Sequence, residues 1–359
     1  MKTQKIEDID KNFVAQKVGD RELIFADIAQ TPFAVSGLGW FYKEKKYCRL
    51  PESRLPETNE GVRFLAWNTA GAMVRFRSNS KTLALRYELN TSDDMSHMPR
   101  TGISGFDLYR GGGTEKKFAG VSIPPPRQTQ IEAVWVASGS GQTEEWTLNF
   151  PLYNGVKTVS IGFDPGCTLE PPTPFTFPKP VAFYGSSITQ GGCASRPGNA
   201  YTHLVCRWLD ANLLNFGFSG NARAEPIMAE LMMSLDLSAL VLDYDHNAPS
   251  ADYLEQTHEP FYKLLRQAKP NLPLILVGRP DFNPENVDCR RRQAIIRRTF
   301  ENAVAAGDRR IYHLNNELLL GTQNRDACTV DGCHPNDLGF MRMAEAIYPV
   351  VRQALQNNH

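Results

Sequence analysis

Three side chains of this sequence, one of them far along the chain from the other two, have the chemistry of a hydrolytic relay. Ser187 stands at the end of the apolar run Val181-Ala-Phe-Tyr-Gly-Ser-Ser-Ile-Thr189, and Asp331-Gly-Cys-His334-Pro335 follows much later. A serine hydroxyl is a poor nucleophile until a base removes its proton, and the base needs an anion to fix its tautomer and stabilise the imidazolium. Ser187, His334 and Asp331 supply one of each. Pro335 biases His334 toward an extended backbone just before a helix that Asn336 or Asp337 can cap. If the three side chains meet, hydrolysis is expected to rise with pH as the base loses its proton.

Two further stretches end apolar runs in the same way. Asn215-Phe-Gly-Phe-Ser-Gly-Asn221 offers a glycine N–H, and Asp243-Tyr-Asp-His-Asn247 offers a carboxamide. With the N–H of Ser187 they would form an oxyanion hole, although turn glycines and turn asparagines are the plainer alternative. Arg196 lies in the segment that follows Ser187, His246 adjoins Asn247, and Arg279 ends another apolar run, so these three are candidates for substrate contact. The arginines 290–292, 297 and 298 are spaced as a solvated helix face. Met228, Met232 and Met233 are expected to fill core. Cys328, Cys333 and His334 lack a second ligand pair, so neither a metal nor any other cofactor is expected.

The elements that must position these groups differ along the chain. From 21 to 163 the apolar residues alternate, as in Ala72, Val74, Phe76 and again in Leu83, Leu85, Tyr87, Leu89. Trp146, Leu148, Phe150 and Val159, Ile161, Phe163 repeat the pattern, which predicts an antiparallel β-sandwich after a loosely held polar arm over 1–20. Residues 164–180 (DPGCTLEPPTPFTFPKP) are so rich in proline that a linker without helix or central strand is expected there. Over 181–359 short apolar runs alternate with segments of helical spacing, such as Tyr201, Leu204, Val205, Trp208 or Ile296, Phe300, Ala303, Val304. That alternation predicts an α/β domain with a parallel sheet covered on both faces. Carboxyl ends of such strands are where ligands bind.

These blocks resemble those of the SGNH hydrolases, the GDSL-like lipase and acylhydrolase family, which lack the G-x-S-x-G elbow of other α/β-hydrolases. The resemblance covers the chain from about 180 to 357 and implies a flavodoxin-like three-layer fold. It also implies Ser187 as nucleophile, Gly220 and Asn247 as oxyanion donors beside the Ser187 N–H, and Asp331 and His334 as the remaining partners. Departures are Ser186 where an aspartate is usual, and Asp245 and Ala248 around Asn247. Gly105-Phe-Asp107-Leu-Tyr109 resembles the G-x-D-L-Y signature of a β-sandwich that precedes such domains. That subgroup is similar to esterases that deacylate carbohydrates, which implies a short acyl group, acetyl foremost, on a saccharide or another hydroxylated small molecule. A second reading keeps the same residues on a lipid or thioester, and a third makes the chain an inactive carbohydrate-binding protein.

Composition narrows the partners. The chain has 359 residues, with 39 basic and 39 acidic side chains. No global basic field exists to attract nucleic acid. No apolar run reaches the ~20 residues of a membrane span, and Met1 to Phe13 has no apolar signal core. A cytoplasmic location is expected, with export on a signal peptide absent from this sequence as the alternative. Seven cysteines, an odd number, argue against a disulfide framework, and Cys193 and Cys333 each adjoin a block named above. Composition sets neither the oligomeric state nor the acyl acceptor.

Overall fold

Alternation becomes strand because successive residues of an extended chain face opposite ways, so one apolar set can be buried on one side. In the computed structural model, which describes residues 3–6, 16–18, 20–135, 139–281, 283 and 285–357, Met73–Ser78 pairs with Glu144–Asn149, and that strand with Asp107–Arg110. Lys117–Val121, Ala34–Ser36, Thr168–Glu170 and Gln4–Lys5 complete this antiparallel sheet. A second antiparallel sheet runs in the order Gln16–Val18, Arg21–Asp27, Val156–Phe163, Leu83–Leu89, Gln130–Trp135. Val74, Phe76, Trp146 and Leu148 of the first sheet share a core with Leu85, Ile161 and Phe163 of the second.

Two expectations are corrected here. The segment 1–20 is not a loose arm throughout, because Gln4–Lys5 pairs with Thr168–Glu170, Ile6 is fully buried, and Gln16–Val18 pairs with Arg21–Asp27. Positions 1–2, 7–15 and 19 lie outside the described residues. Nor is 164–180 free of central strand. Thr168–Glu170 lies inside the first sheet, and the strand Phe177–Gly185 starts before Pro178 and Pro180. Those prolines fit because the ladder to the neighbouring strand skips from Phe177↔Ala211 to Val181↔Leu213, where their missing N–H groups leave no bond unmade.

The second half forms a five-stranded parallel sheet in the order Ala211–Gly217, Phe177–Gly185, Ala239–Asp243, Leu274–Val277, Ile311–Leu314. Adjacent residues go to opposite faces. Tyr184, Phe216 and Leu242 pack with Met228, Phe261 and Ile296 from the helices Pro226–Met233, Ala251–Ala268 and Val287–Ala305. Phe183, Leu213 and Val241 pack with Tyr201, Leu204, Phe340 and Ile347 from the helices Tyr201–Leu209 and Asp337–Gln356. The result is a flavodoxin-like three-layer α/β domain beside an antiparallel sandwich. Phe177–Gly185 is flanked by the next two strands in sequence, one on each side, so its carboxyl end is a topological switch point, where a crevice opens. Among the described residues no helix is long and apolar enough to cross a membrane.

Candidate active site

Ser187 sits at that switch point. The strand must end in Gly185, since a Cβ there would run into Thr189 Oγ1 and the carbonyl of Asp243. Ser186, where the family usually carries an aspartate, caps the turn that follows, its Oγ accepting from the Ile188 N–H at 3.2 Å. Ser187 is the first residue of the helical turn Ser187–Gln190, and its Oγ lies 2.9 Å from His334 Nε2.

The imidazole is held from its other side. His334 Nδ1 lies 2.8 Å from Asp331 Oδ2, while Asp331 Oδ1 accepts from the backbone N–H of His334 at 2.8 Å and of Cys333 at 3.0 Å. Burial pushes the Asp331 carboxyl upward, but those bonds prevail and hold it down at about 2. It is therefore an anion that fixes Nδ1 as donor and leaves Nε2 to accept from Ser187. A bridge between Thr329 and Pro335 closes the loop that carries both residues. Asn336 caps the final helix, accepting from the Gly339 N–H at 3.1 Å. Asp337 instead accepts from the Ser195 N–H at 2.8 Å and from Asn199 Nδ2 at 2.8 Å.

Gly220 and Asn247 occur at the carboxyl ends of the two flanking strands. Gly220 has φ +71°, and among the described residues neither its N–H nor that of Ser187 has a hydrogen-bond acceptor. The Asn247 amide donates to the Phe218 carbonyl at 2.8 Å, which ties the two loops together. The Asn247 turn is braced from beneath by Arg292, whose Nη1 donates to the carbonyls of Asp245 at 2.5 Å and Ala248 at 3.0 Å. Arg292 is only 6% exposed, so the arginine run is not uniformly a solvated face. Arg290, Arg291 and Arg298 do lie outside, each paired with an acidic side chain. A surface reading failed for Arg292 because helical spacing carries no record of which turn lies underneath.

The three candidates for substrate contact fare differently. Arg196 turns to the sandwich, where its Nη1 meets Asp107 Oδ2 at 2.8 Å and the hydroxyl of Tyr109, and its guanidinium lies 4.1 Å from the Phe118 ring centre. Its predicted part in substrate binding gives way to a junction between the domains. His246 is beside the site but packed, with Nε2 3.4 Å from Cys333 Sγ. Burial, then the charges of Arg279 and His334, lower it to about 3, so it is neutral. Arg279 is half-buried, with its carbonyl accepting from Asn316 Nδ2 at 3.0 Å. Cys193 and Cys333 are both free thiols.

Further residues at the site come from the sandwich, and of these only the G-x-D-L-Y segment carried a signal in the sequence. Tyr153 donates its hydroxyl to the carbonyl of Ser187 at 3.1 Å, and the Leu152 carbonyl accepts from Gln190 Nε2 at 3.1 Å. Asp107, fully buried, accepts from Asn149 Nδ2, from the Gly198 N–H and from Arg196, each at 2.8 Å. Gly198 has no room for a side chain against Tyr109 and Asp107. Asp107 and Tyr109 are the D and Y of the G-x-D-L-Y segment, so that signature holds the loop following Ser187. His97 lays its ring 5.6 Å from that of His334. Only pairing across long sequence separations brings these groups here, and no local pattern encodes that.

The chain was compared with known proteins against this geometry. Residues 178–352 match the GDSL-like Lipase/Acylhydrolase family, and residues 23–169 match the N-terminus of esterases of the SGNH hydrolase type. No protein of curated function matches the sequence. Among solved structures, a GDSL-like lipase from Bacteroides ovatus is similar at 28% identity and TM-score 0.83, over 93% of this chain and 98% of that one. A salicylyl-acyltransferase from a tetracycline biosynthetic pathway shares the fold at 16% identity and TM-score 0.77, over 92% of this chain and 97% of its own. A family two carbohydrate esterase from Cellvibrio japonicus does so at 13% identity and TM-score 0.60, over 92% and 98%. With its parallel sheet, its preceding sandwich and both matched segments in order, this chain belongs to the GDSL-like lipase/acylhydrolase family of SGNH hydrolases and carries the GxDLY domain at its N-terminal side.

Proposed function

We propose that the protein is a serine esterase that removes a short acyl group, acetyl foremost, from a saccharide or another hydroxylated small molecule. The observation that carries this reading is the relay itself, Ser187 Oγ to His334 Nε2 at 2.9 Å and His334 Nδ1 to Asp331 at 2.8 Å. In it, Ser187 Oγ attacks the ester carbonyl as its proton passes to His334 Nε2. The tetrahedral oxyanion accepts from the N–H groups of Ser187 and Gly220 and from the Asn247 amide. Collapse expels the alcohol, which takes the proton from His334 and leaves an acyl-Ser187 ester. Water, deprotonated by His334, then releases the acid. Asp331 stays an anion throughout.

The substrate class rests on kinship, because the matched N-terminal domain is one found on esterases and similar folds include carbohydrate esterases and an acetyl xylan esterase. The test is turnover of p-nitrophenyl acetate and of a panel of acetylated saccharides by the full chain and by Ser187→Ala. Loss of nearly all turnover in the variant, with unchanged folding, is the expected result. Retained turnover removes the nucleophile, and a preference for long-chain esters replaces the short-acyl reading with a lipase.

A further inference from the structure

Soft metal ligands crowd the open side of His334. One ligand atom from each of His97, Cys193 and His334 lies within 4.8 Å of the others, and the sandwich supplies His97 to this set. Cys193 is buried, reduced and part of the loop that follows Ser187. The bond from His334 Nδ1 to Asp331 leaves Nε2 as the lone pair directed away from the carboxylate. Nε2 receives only the Ser187 hydroxyl, and a carboxylate on one ring nitrogen with the lone pair of the other turned outward is also the arrangement that orients histidine toward zinc. Two imidazoles and one thiolate are a donor set that zinc accepts, with a fourth position left for water.

We propose that His97, Cys193 and His334 bind a soft divalent cation, zinc foremost, and that its binding switches the hydrolase off. The ion takes lone pairs from the two imidazoles and from the Cys193 thiolate, whose proton leaves to solvent. Nothing is oxidised or reduced. The Ser187 hydroxyl loses its acceptor because His334 Nε2 is now a ligand. Bond lengths of about 2.0–2.1 Å to nitrogen and 2.3 Å to sulfur put donors about 3.5 Å apart, and the three atoms already lie within 4.8 Å of one another. A second set, Asp331, Cys333 and His334, also meets the spacing. In that set the Asp331 carboxylate is already engaged by His334 Nδ1 and by the N–H groups of Cys333 and His334.

Binding itself does not depend on the esterase reading, whereas inhibition does, and the test separates them. The full chain, stripped of metal by a chelator, is titrated with cobalt(II) and then zinc, while p-nitrophenyl acetate hydrolysis is followed in parallel. One equivalent of cobalt with a thiolate-to-metal charge-transfer band, displaced by zinc, is expected. Zinc near stoichiometry stops hydrolysis, and chelator restores it. His97→Ala weakens zinc by about tenfold or more, the least expected for losing a direct ligand, when each variant's zinc response is read against its own metal-free rate. Cys193→Ser loses the charge-transfer band, and Cys333→Ser keeps it. Absence of the band in the unaltered chain, equal zinc affinity in His97→Ala, or loss of the band in Cys333→Ser alone overturns the site. Metal binding without any change in hydrolysis overturns the switch. If the metal-free chain cleaves no ester, the esterase reading falls and the cobalt titration still decides the site.

Discussion

The phenol of Tyr153, in the sandwich, donates a 3.1 Å hydrogen bond to the main-chain carbonyl of Ser187, in the α/β domain. The N-terminal domain thus reaches the peptide of Ser187 itself. One net hydrogen bond contributes about 0.5–1.5 kcal/mol. Tyr153→Phe is expected to lower kcat by roughly twofold to tenfold, with KM little changed, as a positioning loss. An unaltered kcat in steady-state assays would show that the bond does not position Ser187.

Asp107 and Arg196 form the second tie between the domains, with the Asp107 side chain fully buried and that of Arg196 21% exposed. Burial lifts the Asp107 carboxyl, and Arg196, Asn149 and Gly198 oppose that lift. Removing one partner of a buried pair strands the other. Asp107→Ala is expected to destabilise the fold by about 3 kcal/mol, the low end of the range because Arg196 keeps some solvent. A double-mutant cycle with Arg196→Ala, read by urea denaturation, should give a clear coupling energy. Simple additivity would mean that the pair does not couple.

Arg292 holds the carbonyls on either side of Asn247. Asn247→Ala is expected to reduce kcat by about 10² to 10³, the effect of losing one oxyanion donor. Arg292→Met should reproduce part of that loss at a distance, by loosening the turn. A normal rate in Asn247→Ala would remove the amide from the proposed oxyanion hole.

Two fully buried histidines make stability depend on pH. Burial first, then Arg207, lowers His203 to about 3, and burial first, then His313, lowers His258 to about 4. An unfolded histidine titrates near about 6.5, so between that value and these the unfolded chain binds more protons. The stabilisation is therefore fully present above about 6.5 and is lost as pH falls through the folded values. Urea midpoints are expected to drop from pH 7 to pH 4.5, and to drop less in His203→Leu. Parallel pH profiles for the two proteins would assign the acid sensitivity elsewhere.

Much of the parallel sheet was legible because its strands are short apolar runs with breakers at each end. Val181 to Gly185 is buried throughout, as its composition requires. Asp331 and His334 were legible because three positions suffice for one loop to hold both. The 164–180 segment misled because proline count says nothing about register, and a skipped stretch of ladder accommodates Pro178 and Pro180. Arg196 misled for a related reason. Its nearness in sequence to Ser187 suggested the cleft, while Asp107 and Tyr109 offered a buried acceptor on the other side.

By itself the sequence determined which atoms could react, since hydroxyl, imidazole and carboxylate are properties of residue type, and it determined the periodicities that make two kinds of sheet. Tertiary structure decided what those atoms face. Tyr153, His97 and Asp107 reach the Ser187 and His334 loops only because a separate sandwich docks on them. The physical reason is range: periodicity and caps act over a few residues, whereas a site at a junction between domains is set by contacts between residues distant in the chain.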